Sequence, residues 1–231
     1  MACCGVSRKD SMREASKSRR IWGELERSIL VGSGIDIGCG PDPVTPDVRR
    51  FDIEDGDANV ITKFVREQFD FVYSSHCLEH MHDPEKALLE WWKLVKVGGC
   101  LFFIVPDEDL YEQGIFPSRG NPDHKATFTI AKAQSWSPRS YNVLDLARML
   151  PGGELVDIRL HDHNYNRKLL RFQRPPNIFW RGLFRLNSEF HKKTGWRSSH
   201  IQSLLSRFDQ TQKLDTLAQI QCIVRKLNEG Q

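Results

Sequence analysis

The sequence predicts an α/β fold built on a doubly wound, mostly parallel sheet, because short apolar strands alternate with helices and end in polar turns. An apolar strand at residues 34–37 runs into a glycine turn at residues 38–40. Residues 69–75 and 100–105 form two further apolar strands, separated by one amphipathic helix. This alternation is typical of parallel sheets, which bind ligands beyond the carboxyl ends of their strands.

Length and composition indicate a single soluble domain. The chain has 231 residues, 39% hydrophobic and 27% charged, which is enough to build one core. No apolar run approaches the roughly 20 residues that cross a bilayer, and no signal-peptide core is present. Six cysteines without a Cys-x-x-Cys pair favour reduced thiols. We therefore expect one domain over residues 1–231, a cytoplasmic location and no membrane span.

Positive charge is concentrated in one aromatic-rich stretch, residues 163–208, which we call the basic insertion. It holds ten Lys or Arg residues and one acid, Glu189, for a net charge of +9. Because the whole chain carries +3, the remainder carries −6. The basic insertion would bind a polyanion, bind an acidic or phosphorylated small substrate, or form a packed lid. The modest overall charge and the lack of a recognition motif argue against nucleic acid.

The glycine turn excludes two familiar phosphate sites. A dinucleotide fingerprint needs a third glycine three residues after the second and then a helix, whereas position 43 is Pro43. A P-loop fails as well, since no Gly-Lys-Ser/Thr follows. Gly38 and Gly40 lack a Cβ, so a ligand can lie directly against the backbone. Asp36 places a carboxylate beside that opening, which suits a cationic or hydroxyl-bearing ligand.

A second informative unit begins where the strand at residues 69–75 ends. The polar turn at residues 76–80 comes first, and Asp83 then caps a helix that has Pro84 at its first position. We expect the glycine pair at residues 98–99 to end this helix. The apolar strand that follows ends in a Pro-Asp pair.

Together these stretches resemble the class I S-adenosyl-L-methionine (SAM)-dependent methyltransferases. The sequence GIDIGCGP at residues 34–41 is similar to their motif I, and SSHCLEH…DP…VGG…VPD is similar to their motifs IV to VI. The resemblance implies a Rossmann-like fold of seven strands, the last antiparallel, and an N-terminal helix at residues 12–30. The short, proline-rich connection after the glycine turn resembles a type 11-like bacterial and phage subfamily whose first crossover is shortened.

The resemblance also implies SAM as cofactor, with S-adenosyl-L-homocysteine (SAH) as product. The second strand would end at Asp52, whose acceptor-only carboxylate suits the two vicinal hydroxyls of the ribose. A third, edge strand is expected at residues 58–62. Lys63 lies where members of the family often have an acid. The resemblance therefore implies contact with the adenine ring only for the neighbouring Phe64. The implied cofactor-binding residues are Asp36, Gly38, Cys39, Gly40, Asp52, Ile53, Phe64 and Ser75.

Methyl transfer to an alcohol requires that its proton be removed while nucleophile and methyl group are held together. Histidine suits this task because its ordinary pKa lies near neutral. The predicted base is His76, with His124 and Asp107 as further candidates. Tyr111 and Arg119, in the irregular stretch after the Pro-Asp pair, are predicted to contact the substrate.

The spacing His76-x-x-Glu79-His80 also matches the pattern of inverted zincins. That motif belongs inside a helix, whereas this one leaves a strand just before a helix cap. Some small-RNA methyltransferases carry an acid-x-x-Glu-His metal site at this turn, but here a histidine replaces the first acid, and the fourth ligand would be His124 or His163. We therefore predict no metal and expect Glu79 and His80 to tie the turn to its neighbours.

The predicted function is methyl transfer from SAM to a hydroxyl of a small molecule, an anionic or nucleotide-linked sugar or a glycan precursor. Uncharacterised bacterial and phage-encoded proteins with similar strings, VPD…YE…PSR…NPDHK…FT and DQT…LAQIQ, tend to accompany surface-polysaccharide genes. Two alternatives stay open. One is a partner subunit that binds SAM or SAH without catalysis, and the other is a methyltransferase that acts on nucleic acid.

Overall fold

The computed structural model describes residues 14–118, 121–130, 132–174, 209–213 and 215–228, together with residues 178, 179, 182 and 186. Most of the basic insertion therefore lies outside the described residues, and its role stays a prediction. The described strands are β1 (Gly34–Ile37), β2 (Arg49–Phe51), β3 (Phe69–Ser75), β4 (Val95–Pro106), β5 (Thr127–Thr129), β6 (Ser140–Asn142), β7 (Gly153–His161) and β8 (Gln219–Lys226).

Six of these strands form one sheet in the order β2-β1-β3-β4-β8-β7. The first four strands of the chain run parallel, and β8 lies antiparallel to both of its neighbours. The predicted α/β sheet, mostly parallel with an antiparallel last strand, is therefore confirmed. β5 and β6 form a separate parallel pair, which a bridge between Asp107 and Phe128 joins to the end of β4.

Helices cover both faces of the sheet. The described α-helices are α1 (Glu14–Arg19), α2 (Glu24–Ile29), α3 (Pro84–Lys93) and α4 (Val143–Arg148). The larger core lies between α3, α4 and the sheet, around the fully buried Trp91. A second core lies under α1 and α2, where the ring of Trp22 is 5.4 Å from Phe102 and 6.0 Å from Tyr73. No helix within the described ranges has the length and apolar character that a membrane crossing requires.

The main sheet has six strands among the described residues, and the predicted count of seven is wrong. Residues 58–62, predicted as an edge strand, belong to the 3-10 helix Ala58–Lys63. The carboxylate of Asp57 caps this helix by accepting a hydrogen bond of 2.9 Å from the backbone N–H of Asn59. The indole N–H of Trp91 then donates to the carbonyl of the first helical residue at 2.9 Å, which ties the segment to α3.

Two predicted helix boundaries also differ from the structure. Within residues 12–30 the described part forms two short helices, because the helical conformation is interrupted before Gly23. The backbone N–H of Gly23 donates to the carboxylate of Glu26 at 2.9 Å and starts the second helix. α3 ends at Lys93, and the glycine pair at residues 98–99 lies inside β4 rather than at the helix end.

The parallel strands end together at one edge of the sheet. Gly38, Asp52, His76 and Asp107 directly follow β1, β2, β3 and β4. The connection from β1 to β2 contains no helix, as expected for a shortened crossover, and every residue of it is described. Since open α/β sheets bind ligands beyond the carboxyl ends of their strands, this edge is the place for a binding site.

Candidate active site

A cleft of about 260 Å³ opens at this edge, between the ends of β1, β2 and β3 and the start of α1. The lining residues are Glu14, Ala15, Asp36, Gly38, Cys39, Gly40, Pro41, Asp42, Asp52, Tyr73, Ser75 and His76. Six of the eight predicted cofactor residues are among them. The fold therefore brings most of the predicted set to one cleft, although their contacts with a cofactor stay a prediction.

The other two predicted cofactor residues, Ile53 and Phe64, lie outside the lining. Ile53 is 77% exposed and Phe64 is 48% exposed. The Phe64 ring lies 6.3 Å from that of Phe51, the last residue of β2. It also covers Gly56, where an added Cβ would come within 2.7 Å of the ring. Two large apolar side chains therefore stand exposed close to the end of β2.

The glycine turn is held against the strands on both sides of it. Gly38 has a φ of +76°, in the left-handed region that favours glycine. Its N–H donates to the carbonyl of Phe51 at 2.8 Å. An added Cβ would lie 2.7 Å from the side chain of Cys77, so only glycine fits there without movement. Gly40 also has a positive φ, of +51°, but faces open space.

Asp52 is fixed at the mouth of the glycine turn. One oxygen of its carboxylate accepts a hydrogen bond of 2.8 Å from the backbone N–H of Gly40. The other accepts one of 2.8 Å from the N–H of Ile53. Since each carboxylate oxygen has two lone pairs, acceptor capacity remains for a ligand. The end of β2 and the turn after β1 are thereby joined through a single side chain.

Asp36 lies deeper, at the inner wall of the cleft, with a residue exposure of 1%. Its Oδ2 accepts a hydrogen bond of 2.7 Å from the N–H of Val44. Burial raises the pKa of the Asp36 carboxyl to about 7, although this hydrogen bond by itself would lower it. Near neutral pH the charged form of this buried carboxylate is therefore costly, and a cationic group bound in the cleft would stabilise it.

We expect Asp36→Asn to change the pH dependence of folding stability. Below about pH 3.8 the carboxyl is protonated in both states; between 3.8 and 7 only the unfolded chain releases the proton. The free energy of unfolding of the natural protein should therefore fall across this range, by up to about 4 kcal/mol. Asparagine keeps the acceptor for Val44 and does not titrate. Urea unfolding at several pH values measures the difference between the two proteins, and parallel curves would contradict the burial argument.

Helix α1 closes one side of the cleft and is bonded to the loop that follows the glycine turn. Ser16 fixes it, because its backbone N–H and its hydroxyl donate to the two oxygens of Asp42 at 2.7 and 2.6 Å. This places Glu14 in the lining, with Oε2 3.8 Å from Nε2 of His76. Sequence reasoning missed Glu14 and Asp42. Asp42 directly follows the predicted turn and was within reach of that reasoning, whereas nothing in the sequence marks Glu14.

The lining therefore carries four acidic side chains and one histidine, set around exposed backbone. The acids are Glu14, Asp36, Asp42 and Asp52. This charge suits a cationic ligand and disfavours the phosphates of a dinucleotide. A ligand that carries a sulfonium, an amino group and a ribose fits such an acidic lining, because it brings positive charge and hydroxyl donors.

His76 begins the turn after β3 with a φ of +53°, and it lines the cleft. Its Nδ1 lies 3.3 Å from the Glu79 carboxylate and its Nε2 lies 3.2 Å from the amide oxygen of Gln219. Burial by itself would lower the pKa of His76, but its contact with the Glu79 carboxylate and the charge of Glu14 raise it to about 9. At neutral pH the ring is therefore an imidazolium, which weakens its predicted role as a base.

The other predicted catalytic and substrate residues lie outside the lining. Asp107 is 7% exposed and caps the helical turn Glu108–Glu112 through Leu110 N–H at 2.9 Å; burial raises its pKa to about 6. His124 is 3% exposed, and the Tyr111 ring stacks on it at 5.4 Å. The Tyr111 ring lies 6.3 Å from the His76 ring, and Arg119 lies outside the described residues.

Comparisons with known proteins agree with this site. Residues 39–103, which run from the glycine turn into β4, match a family model described as a methyltransferase domain. No curated protein has a significant match to the chain. The matched residues and the mostly parallel sheet resemble those of the class I SAM-dependent methyltransferases, whose general activity is methyl transfer. SAM is the methyl donor of that class.

Solved structures similar to this chain are distant. A SAM-dependent methyltransferase from Archaeoglobus fulgidus is 14% identical, with a TM-score of 0.46 over 93% of this chain and 95% of its own. A phosphoethanolamine N-methyltransferase 2 of Haemonchus contortus, solved with SAM, is 12% identical, with a TM-score of 0.48 over 88% and 51%. The [4+2]-cyclase SpnF is 15% identical, with a TM-score of 0.46 over 88% and 78%.

Proposed function

We propose that the protein transfers the methyl group of SAM to a hydroxyl of a small molecule, in the class of a sugar or glycan precursor. The observation that carries the cofactor part is the Asp52 carboxylate, held at the end of β2 by the N–H of Gly40. That geometry sets an acceptor pair beside a bare backbone turn, which is what a ribose and an amino-acid tail require.

Different residues of the cleft bind different parts of the cofactor. SAM supplies a methyl group already activated by a sulfonium. Asp52 accepts the ribose hydroxyls, and the backbone of Gly38 and Gly40 takes the amino-acid end by close approach. Ile53 and Phe64, apolar and exposed near the end of β2, flank the adenine ring. The acidic lining balances the positive charges of the sulfonium and the amino group.

His76 is the predicted catalytic residue that lies in the cleft wall. Holding the acceptor oxygen at near-attack distance supplies most of the acceleration in such a displacement, up to roughly 7–11 kcal/mol. Because its pKa is raised, His76 is better suited to donate a hydrogen bond that positions the acceptor oxygen than to act as the base that removes the proton of that oxygen. Asp107 and His124 remain candidates for the base in a rearranged, substrate-bound site.

Calorimetric titration of the full chain with SAM and with SAH tests the cofactor proposal. We expect one binding site for each ligand, and absence of binding to both would overturn the proposal. Methyl-labelled SAM then tests the acceptor class, with nucleotide-linked sugars, oligosaccharides and RNA or DNA oligonucleotides offered in parallel. Label in the sugar fraction supports our proposal. Label in nucleic acid, or SAM binding with no transfer to any acceptor, would favour one of the two alternatives.

A further inference from the structure

We propose that Glu79, His80 and His124 form a binding site for a divalent transition-metal ion just behind the cleft. These residues come from the turn after β3 and from the segment before β5. The proposal rests on three features of the described residues, namely the convergence of ligand atoms, the orientation of the histidines and a buried carboxylate that lies among histidine side chains. It does not depend on the identity of the methyl acceptor.

The potential ligand atoms converge on one point. Each of the three residues offers one atom, and these atoms all lie within 4.8 Å of one another. Oε1 of Glu79 and Nε2 of His124 are 3.9 Å apart. Zinc bonds to nitrogen and oxygen are about 2.0–2.2 Å long, so donor atoms in a tetrahedral site lie about 3.4 Å apart. Small side-chain rotations would therefore complete the coordination.

Both histidines are oriented by carboxylates that are not themselves ligands. Nδ1 of His124 lies 2.6 Å from Oε1 of Glu112, and Nδ1 of His80 lies 3.1 Å from Oδ2 of Asp123. A carboxylate only accepts, so Nδ1 must be the donor in each pair. In the neutral rings this leaves Nε2 of both histidines as acceptors, available to a metal. Metal-bound histidines almost always have such an outer partner.

The Glu79 carboxylate lies at the centre of the proposed site, among histidine side chains. It is fully buried, yet neither carboxylate oxygen accepts a hydrogen bond of normal geometry from any described residue. Oε1 has ion-pair contacts with His76 at 3.3 Å and His124 at 3.9 Å. A buried carboxylate is costly unless hydrogen bonds or a cation compensate for the lost water. The His76 imidazolium, 3.3 Å away, already supplies one such cation, and a metal ion bound by Glu79 would add to it or replace it.

The ligand chemistry selects the kind of ion. Two imidazoles and one carboxylate suit zinc, cobalt, manganese or ferrous iron, whereas magnesium and calcium prefer a shell of oxygen alone. Three protein ligands leave at least one coordination position for water or an oxygen ligand. His76 contacts Glu79 and also lines the cleft, so the ion would sit one side chain away from the bound substrate.

Metal binding to the chelator-treated full chain tests this site. We expect one equivalent of Co²⁺ or Zn²⁺ by calorimetry, and visible absorption bands from bound Co²⁺. His124→Gln and Glu79→Gln should abolish both signals. Glu112→Gln, which alters only the outer carboxylate, should weaken binding by about 10- to 100-fold. His80→Gln should disturb folding less than the other two ligand substitutions, because the His80 side chain is 24% exposed. It should also abolish the Co²⁺ bands.

His82→Gln is the matched control, since His82 is exposed and two residues beyond His80. It should bind metal like the natural protein. The proposal is overturned if the natural protein binds no ion, or if folded His80→Gln and His124→Gln bind as tightly as His82→Gln. All measurements are made without SAM, so a failure here is separate from a failure of the proposed methyl transfer.

Discussion

Replacing Asp52 by alanine is expected to weaken SAM binding by about 10- to 100-fold. The lost contacts are one or two hydrogen bonds from ribose hydroxyls to a charged acceptor, each worth about 1.5–3 kcal/mol. Asp52 is already held in place by the N–H groups of Gly40 and Ile53, so the ligand need not order it. Calorimetric titration with SAM measures the dissociation constants of the two proteins.

Two further variants separate the ribose contact from other effects. Asp52→Asn keeps an acceptor for the N–H of Gly40 and so preserves the turn, and it should still lose most of the affinity. Glu67→Gln removes the same charge at the other end of β2, where Glu67 pairs with Arg49 at 2.7 Å and is 62% exposed. It should bind SAM normally. Unchanged affinity in both Asp52 variants would refute the ribose assignment.

Replacing Gly38 by alanine is expected to lower the free energy of unfolding by about 2–4 kcal/mol. The left-handed backbone, with a φ of +76°, costs a residue with a Cβ about 1–2 kcal/mol. The new Cβ would also meet the Cys77 side chain at 2.7 Å, and overpacking of that kind costs about 1–3 kcal/mol. Urea unfolding at constant pH measures the loss.

Gly40→Ala is the matched control for that substitution. Its φ of +51° is also left-handed, but no atom of the described residues lies within 4 Å of the added Cβ. It should therefore lose only the backbone part, about 1–2 kcal/mol. Equal losses at the two positions would show that contact with Cys77 contributes nothing, and the close packing of the turn would have to be reconsidered.

Much of the fold could be predicted because local signals were strong. β3 has the predicted limits, and α3 begins after the capping Asp83 with Pro84 as its first residue. Local signals failed where a side chain outside the segment decided the conformation. Trp91 and Asp57 fix residues 58–63 as a 3-10 helix, although the apolar pattern there favours a strand.

The candidate site shows the same division. Asp52 was predictable, because an acid at the end of a parallel strand must lie at the ligand edge of the sheet. His76 was also placed correctly at that edge, but its protonation was not predictable. That depends on Glu79, which is close in sequence, and on Glu14, which reaches it only through the packing of α1.

The sequence by itself determined the α/β class, the glycine turn and the acid that follows β2, because these depend on residue type and on spacing along one segment. Tertiary structure alone decided which carboxylates surround His76, and that His80 and His124 meet over Glu79. The contacts of His76 with Glu14 and of His124 with Glu79 join residues far apart in the chain, and their energies depend on burial and on distance. The glycine turn with Asp52 is therefore a property of the sequence, whereas the charge state of the site is a property of the fold.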